Sequence, residues 1–211
     1  MKRPGAIREE HGPGGNAKTP SPKGLARKEL IIDVATRFLA RNGSRGTSLG
    51  EIAAEAGVSQ AGLLYHFPTK EELLNAVLDR RDEVEDARLW QTADPGLGIF
   101  TVIARNVTRW AKHPEIVGMH TVLVAENVGD EGILHPRLIS RYRMTVDRIR
   151  ATLAAAQDRG EMRTDADPRL KAIEIVAFLN GLETAWLLDP GIPAANTAAA
   201  WAEDQLRTLR A

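Results

Sequence analysis

The chain has 211 residues, of which 43% are hydrophobic and 27% charged, so it can bury a core as one large domain or as a small domain joined to a larger one. It has no cysteine, which excludes disulfides and thiolate metal sites, and we expect a cytoplasmic protein with neither a secretory signal nor a membrane span. The net charge of zero divides into a basic part, residues 1–70, with 11 Lys and Arg against 6 Asp and Glu, and an acidic remainder.

The basic N-terminal part favours a nucleic-acid reader joined to a separate regulatory body, although an uneven distribution of solvated charges gives the same count. Its first 22 residues are rich in Gly, Pro, Lys and Arg and almost lack apolar side chains. We therefore expect residues 1–22 to form a disordered basic tail. Such an arm either enters the minor groove beside a DNA-bound domain or stays solvated.

From Leu25 onward, helical periodicity predicts an all-α fold. Leu30, Ile31, Val34, Phe38 and Leu39 share one face of the first helix, and Gly43 ends that helix. Breaks that contain proline or glycine separate the later helices. These are predicted at 48–56, 60–67, 70–89, 97–112, 117–128, 136–159, 168–188 and 195–210.

The segment after the first helix has the pattern of a helix-turn-helix. Ser48 and Glu51 fit a capping box, in which a hydroxyl and a carboxylate satisfy the first turn of a helix. Gly57 supplies the positive φ that a tight turn needs, and Ser59 can cap the next helix. We therefore predict a three-helix DNA-binding domain over residues 23–70, although an ordinary helical hairpin uses the same turn residues.

The helix after this turn is the candidate recognition helix. Its first residues are small or polar, whereas Leu63 and Phe67, one turn apart, can anchor it inward. Gln60 at the tip can pair with adenine, and Tyr65 and His66 can donate to phosphate. Lys70 adds a cation beside the N-terminus of the following helix. The candidate DNA-binding residues are Thr47, Ser48, Gln60, Ala61, Gly62, Tyr65, His66 and Lys70.

Residues 25–75 resemble the N-terminal domain of the TetR/AcrR family of transcriptional regulators. Where that family has a tyrosine after the leucine, this chain has Leu64, and Tyr65 follows one place later. The family's DNA contact from that tyrosine is therefore not carried over, and whether Tyr65 replaces it stays open. The matching residues are Thr47, Ile52, Ala53, Ala56, Gly57, Val58, Ser59, Leu63, His66, Phe67, Lys70, Glu71 and Leu73.

The resemblance implies that residues 71–211 form a larger helical domain for effector binding and dimerisation. The stretch 168–188 is apolar nearly all round, so it must be covered on several sides, in part by the core of its own subunit. The apolar residues on it are Ala172, Ile175, Val176, Leu179, Leu182 and Trp186. The small residues Ala177, Gly181 and Ala185 permit a close helix approach. The resemblance implies that helices 136–159 and 168–188 pair in a homodimer, which suits a palindromic double-stranded DNA operator.

The resemblance also implies a cavity for a small, mostly apolar effector of unspecified class. Glu126 is a candidate for recognising a polar or cationic group, although a solvent-facing position fits it equally well. Every aromatic or sulfur-containing candidate also fits plain core packing. The candidate lining residues are Trp90, Phe100, Trp110, Met119, His120, Glu126, Tyr142 and Trp186.

Motifs of the common enzyme classes are missing from the sequence. It has no G-x-S-x-G, Walker A, G-x-G-x-x-G or H-E-x-x-H motif, and its five histidines form no i, i+4 pair. We therefore expect no catalytic residue, metal site or cofactor. The predicted function is a sequence-specific DNA-binding regulator, a repressor that an effector releases from its operator. The alternative is a helical ligand-binding or protein-interaction module without operator recognition, which Leu64 and the uncharged tip favour.

Overall fold

The computed structural model describes residues 21–90, 95–129 and 132–211. Within these ranges the only β-type pairing is one isolated bridge between Met162 and Arg210. Nine α-helices account for most of the described chain, which confirms the all-α prediction. None of these helices is both long and apolar enough to cross a membrane. They are α1 (Pro22–Asn42), α2 (Leu49–Glu55), α3 (Gln60–His66), α4 (Lys70–Leu89), α5 (Ile99–Val107), α6 (Pro114–Glu126), α7 (His135–Asp158), α8 (Pro168–Leu188) and α9 (Ala194–Leu209).

The predicted helix boundaries agree with the structure to within a few residues, except in one segment. The helix expected over 97–112 is divided into a 3₁₀ helix at Gly96–Gly98, α5, and a second 3₁₀ helix at Trp110–Lys112. The backbone N–H of Arg109 donates to the carbonyl of Asn106 at 3.0 Å, three residues back, which is the tighter 3₁₀ pattern. This segment therefore turns where one continuous helix was predicted.

The start of α1 corrects the predicted extent of the tail. Ser21 caps the helix by accepting a hydrogen bond from the backbone N–H of Gly24 at 3.1 Å, and Pro22 occupies the first helical position. Residue 22 therefore belongs to α1 and not to the tail. Residues 1–20, which carry the rest of the predicted tail, lie outside the described residues.

Two clusters of buried apolar side chains organise the molecule. The N-terminal core joins α1, α2 and α3 to the first half of α4, and it includes Met119 and Leu123 from α6. The C-terminal core is formed by α5, α7, α8 and α9, and Val117 of α6 and Leu89 of α4 pack on it. The expected boundary between residues 70 and 71 falls at the first turn of α4. Helices α4 and α6 thus take part in both cores.

Ion pairs fix the second half of α4 against α7. Asp82, which is buried, receives the guanidinium of Arg137 at 2.6 Å and that of Arg141 at 3.4 Å. Arg141 also forms two hydrogen bonds with Asp86, at 2.8 and 2.9 Å. Two parallel N–H···O bonds hold a guanidinium in one orientation. The half of α4 that faces the body therefore has a defined position relative to α7.

Candidate nucleic-acid interface and ligand cavity

Local hydrogen bonds define the two short helices of the helix-turn-helix. The carboxylate of Glu51 accepts from the backbone N–H of Ser48 at 3.0 Å, and the N–H of Glu51 donates to the Ser48 hydroxyl at 3.2 Å. These bonds form the predicted capping box, and the side-chain hydrogen bond from Ser48 holds the pKa of Glu51 below its ordinary value. Gly57 has φ of 63°, and Ser59 accepts from the N–H of Gly62 at 3.1 Å.

Helix α3 is anchored on one side and free on the other. Leu63 is fully buried and Phe67 is 3% exposed, so both side chains belong to the N-terminal core. Gln60 and Ala61 at the tip are exposed, and Tyr65 is 84% exposed. A major groove admits an α-helix whose first residues are accessible in this way. The tip of α3 therefore has the accessibility that base reading requires.

Three further predicted DNA-binding residues differ in how far they can reach DNA. Gly62 is half-buried, and its backbone N–H is engaged by the Ser59 cap. Ser48 is exposed, but its hydroxyl is engaged in the capping box. His66 is half-buried and has an edge contact with Tyr65, with 5.3 Å between the ring centroids. Tyr65, by contrast, is 84% exposed, and its hydroxyl has no hydrogen-bond partner among the described residues.

Thr47 and Lys70 connect elements within the protein. Thr47 is buried, and its hydroxyl donates to the carbonyl of Gly43 at 2.7 Å, so this side chain is not available to DNA. This corrects its assignment as a contact residue. The Lys70 ammonium donates to the carbonyl of Thr47 at 2.5 Å, which ties the start of α4 to the turn before α2. Lys70 has two further N–H groups, but it is half-buried.

Two exposed cations of the N-terminal domain, Arg45 and Lys28, were missed by sequence reasoning. Arg45 is exposed in the turn before α2. Lys28 on α1 is also exposed, and its ammonium lies 5.6 Å from the centroid of the Phe67 ring, at the end of α3. Their sequence signal was only the general excess of basic residues, because the fold alone brings Lys28 close to α3.

A cavity of about 320 Å³ lies in the body, enclosed by α4, α5, α6, α7 and α8. Its walls are mostly apolar, and they include Ile99 and Ile103 from α5 and Leu179 from α8. A volume of this size suits a small organic ligand. Four of the predicted lining residues border it, namely Trp90, Trp110, His120 and Tyr142.

The other four predicted lining residues lie elsewhere. Phe100 is fully buried against Trp201, with 5.5 Å between the ring centroids, and Met119 belongs to the N-terminal core. Trp186 packs behind Trp110, with the ring centroids 6.0 Å apart. Glu126 lies at the end of α6, beside the turn before α2. Periodicity identifies a side chain as inward-facing, but it does not distinguish the cavity wall from either core, so these four assignments are corrected.

Glu126 connects α6 to the helix-turn-helix. Its carboxylate accepts hydrogen bonds from the backbone N–H of Ser44 at 2.7 Å and of Arg45 at 3.4 Å. A Cβ on Gly43 would lie 2.2 Å from this carboxylate, so glycine is required for the close approach. Burial acts to raise the pKa of Glu126, but the hydrogen bonds from Ser44 and the charge of Arg45 outweigh it and hold the pKa below its ordinary value.

Sequence reasoning missed Glu85 and Glu183 in the cavity wall, which also contains the predicted His120. Glu85 accepts a hydrogen bond from the side-chain amide of Asn106 at 2.6 Å. Glu183 on α8 lines the cavity, and burial raises the pKa of its carboxyl to about 7. Burial also holds the pKa of His120 well below its usual range, and its Nδ1 has no hydrogen-bond partner among the described residues. The available sequence signal for Glu183 was the presence of a carboxyl on the otherwise apolar stretch 168–188.

An exposed candidate recognition helix and a cavity with aromatic residues in its wall, joined by helices that belong to both cores, are the features expected of a DNA-binding protein that responds to a small molecule. Comparison with known proteins identifies the class. Residues 31–77 match the model of bacterial regulatory proteins of the tetR family, and residues 124–211 match that of the BetI-type transcriptional repressor C-terminal domain.

Individual relatives agree with these matches. The chain is 26% identical over 170 residues to the HTH-type transcriptional regulator AcrR of Shigella flexneri, covering 77% of this chain and 79% of that protein. It is 28% identical over 198 residues to TtgR of Pseudomonas putida, covering 85% and 90%. The fold is similar to that of NalD of Pseudomonas aeruginosa, with a TM-score of 0.72, 22% identity, and coverage of 89% and 97%.

The chain belongs to the TetR/AcrR family of transcriptional regulators. It is a DNA-binding regulator and not an enzyme. Members of this family bind operator DNA and small-molecule effectors and act as dimers.

Proposed function

We propose that this protein is a homodimeric repressor that reads a palindromic operator with two copies of α3 and leaves it when a small molecule fills the cavity. The observation that carries the proposal is the exposed tip of α3 on a helix whose opposite side is anchored by Leu63 and Phe67. Two such helices related by a two-fold axis read half-sites about one helical turn of DNA apart.

Individual side chains on and around α3 have different proposed roles in DNA binding. The amide of Gln60 has the donor and acceptor needed to pair with adenine, so we assign it base recognition. Tyr65 is 84% exposed and is assigned a phosphate contact, in place of the family tyrosine whose position Leu64 occupies. Arg45 and Lys28 are assigned sequence-independent phosphate attraction.

The dimer is assigned to α7 and α8. Ala172, Ile175 and Leu182 are buried within one chain, so their apolar character does not require a second subunit. The sequence argument for a dimer therefore rests on the other apolar residues of α8. Apolar side chains nevertheless remain exposed on both helices. Gly181 is exposed with open space around it, which leaves room for another helix to approach. The exposed apolar residues are Met144, Leu170, Ile173 and Leu188.

Two helices connect the cavity to α3. Arg81 and Glu85 on α4 line the cavity, and the first half of the same helix packs in the N-terminal core. His120 and Val124 on α6 also line it, and α6 ends at Glu126, which holds the turn before α2. A ligand that displaces either helix changes the spacing of the recognition helices. The size of the response is limited by the ligand's differential affinity for the two arrangements.

Selection of bound duplexes from random DNA, followed by affinity measurements over a range of salt concentrations, tests this function. We expect a palindromic consensus that binds at least about 1,000-fold more tightly than a scrambled duplex, with affinity falling steeply as salt rises. If no consensus emerges and affinity is independent of salt, the chain is instead a ligand-binding or protein-interaction module without operator recognition. The presence of Leu64 at the family's tyrosine position favours that second function.

A further inference from the structure

We infer that the cavity takes a small organic cation, a mostly apolar molecule whose single positive charge lies against Glu183 of α8. The inference rests on the proposed role of the cavity as an effector site and specifies the chemical class of the effector.

The other charged groups in the cavity wall already have partners. Arg81 pairs with Asp82 at 3.1 Å, and Arg141 pairs with Asp86 at 2.8 Å. Glu85 accepts from the amide of Asn106 at 2.6 Å and pairs with Arg88 at 3.4 Å. The two arginines of the cavity wall are therefore each paired with a carboxylate, which weakens their attraction for an anionic ligand.

Glu183 is the exception. Within the described ranges no hydrogen bond or ion pair reaches its carboxyl, although it borders the cavity and is half-buried. A carboxylate in such a place is costly unless a positive group accompanies it. A cation in the cavity would supply that missing charge without breaking any contact.

The remaining wall accommodates a cation with an apolar body. The rings of Trp110 and Tyr142 offer faces that attract positive charge, whereas that of Trp90 already carries the guanidinium of Arg148 at 4.2 Å. His120 adds no repulsion, because burial keeps its pKa well below the usual range and its imidazole neutral. Aliphatic side chains such as Ile103 and Leu179 cover the rest.

Charged and titratable groups from three other helices line the same cavity. Arg81 acts to lower the pKa of Glu183 and Glu85 acts to raise it, but burial is the larger influence and brings the pKa to about 7. Cation binding should therefore strengthen with rising pH, as the carboxyl ionises. These groups are Arg81 and Glu85 on α4, His120 on α6, and His135, Arg141 and Tyr142 on α7.

The test compares N-methylacridinium, a permanent cation, with acridine, a neutral molecule of the same ring system at pH 7.5. Calorimetric titration of the full-length protein without DNA measures both affinities in the wild type, in Glu183→Gln, and in Glu174→Gln as the control. Glu174 lies on the same helix but is exposed and pairs with Lys171, outside the cavity wall.

We expect the wild type and Glu174→Gln to prefer the cation by about tenfold or more, and Glu183→Gln to lose that preference while it binds acridine within about twofold of the wild type. The acridine affinity shows that the cavity of the variant is intact. Between about pH 6 and pH 8 the cation affinity of the wild type should rise about tenfold, whereas that of Glu183→Gln should stay constant.

Equal affinities for the two probes in the wild type would overturn the inference. A cation preference that survives Glu183→Gln, or a wild type that binds neither probe, would also overturn it. The proposed function is judged separately, because operator selection uses DNA and no ligand, whereas these titrations use ligand and no DNA.

Discussion

The helix-turn-helix and the cavity differ in how far their polar groups are paired by hydrogen bonds. In α2 and α3, Ser48 and Glu51 satisfy each other, and Ser59 satisfies the N–H of Gly62, all within three residues along the chain. In the cavity the polar groups come from separate helices, and Glu183 and His120 Nδ1 have no hydrogen-bond partner among the described residues. The first region therefore holds Gln60 in a fixed position, whereas the second contains polar groups that a ligand could pair with.

The rigidity of the first region depends on the anchor of α3. Leu63→Ala should lower the free energy of unfolding by about 2–5 kcal/mol, because it opens a cavity at a fully buried position. Leu64→Ala is the matched control, since this neighbouring leucine is 37% exposed and should cost less than about 1 kcal/mol. Urea denaturation measures both. Equal losses in the two variants would contradict the anchoring role of Leu63.

The unpaired carboxyl of Glu183 in the cavity should lower the free energy of unfolding of the unliganded protein. The pKa of Glu183 is raised to about 7, so the unliganded protein loses stability as pH rises through that value and the buried carboxyl ionises. Glu183→Gln should therefore be more stable than the wild type by about 1–3 kcal/mol at pH 8, and the difference should shrink below about pH 5. Thermal denaturation at both pH values measures this. A variant less stable than the wild type at pH 8 would show that Glu183 has a favourable partner.

Glu126 connects α6, which lines the cavity, to the turn before α2, so its replacement should lower the stability of the protein. Its pKa is lowered, and its stabilising effect is therefore present at neutral pH and lost as pH falls below about 4.5. Glu126→Gln should cost about 1 kcal/mol at pH 7, because it removes the charge from the hydrogen bonds to Ser44 and Arg45, and this cost should shrink as pH falls through the lowered pKa of Glu126. The exposed Glu203→Gln on α9 is the control. A pH-independent cost would contradict the account.

The smallest effect is expected for Tyr65. Tyr65→Phe removes one hydroxyl from a side chain that is 84% exposed, so the stability of the protein should not change. If the hydroxyl donates to phosphate, affinity should fall by about 0.5–1.5 kcal/mol for the operator and for a scrambled duplex alike. Fluorescence anisotropy with both duplexes measures this. A loss confined to the operator would assign Tyr65 to base recognition.

The sequence predicted the helix-turn-helix well because its determinants are local. Ser48, Gly57 and Ser59 act on backbone groups within a few residues, so their spacing is sufficient to identify them. Thr47 was misassigned because its buried hydroxyl donates to the carbonyl of Gly43, four residues back. The sequence does not distinguish a threonine that is buried in this way from one that is exposed to solvent.

The cavity was predicted only in part, because its walls depend on contacts between distant segments. Trp110 and Phe100 have the same sequence signature, yet one lines the cavity and the other packs on Trp201. Glu126 was a candidate either for ligand recognition or for a solvent-facing position, but its carboxylate binds the backbone of Ser44 and Arg45, more than 80 residues away in the chain. Periodicity gives the direction of a side chain relative to its own helix, whereas packing decides what it meets.

The most direct test of the account is the base preference of Gln60. Affinities for the selected operator and for each of its single-base-pair variants should be measured with the wild type, with Gln60→Ala, and with Asn196→Ala, which removes an exposed amide from α9. We predict that Gln60→Ala loses about 1–3 kcal/mol of discrimination at one or two base pairs and keeps it elsewhere, and that Asn196→Ala matches the wild type. A Gln60→Ala profile that matches the wild type at every base pair would contradict the claim that the tip of α3 reads the operator.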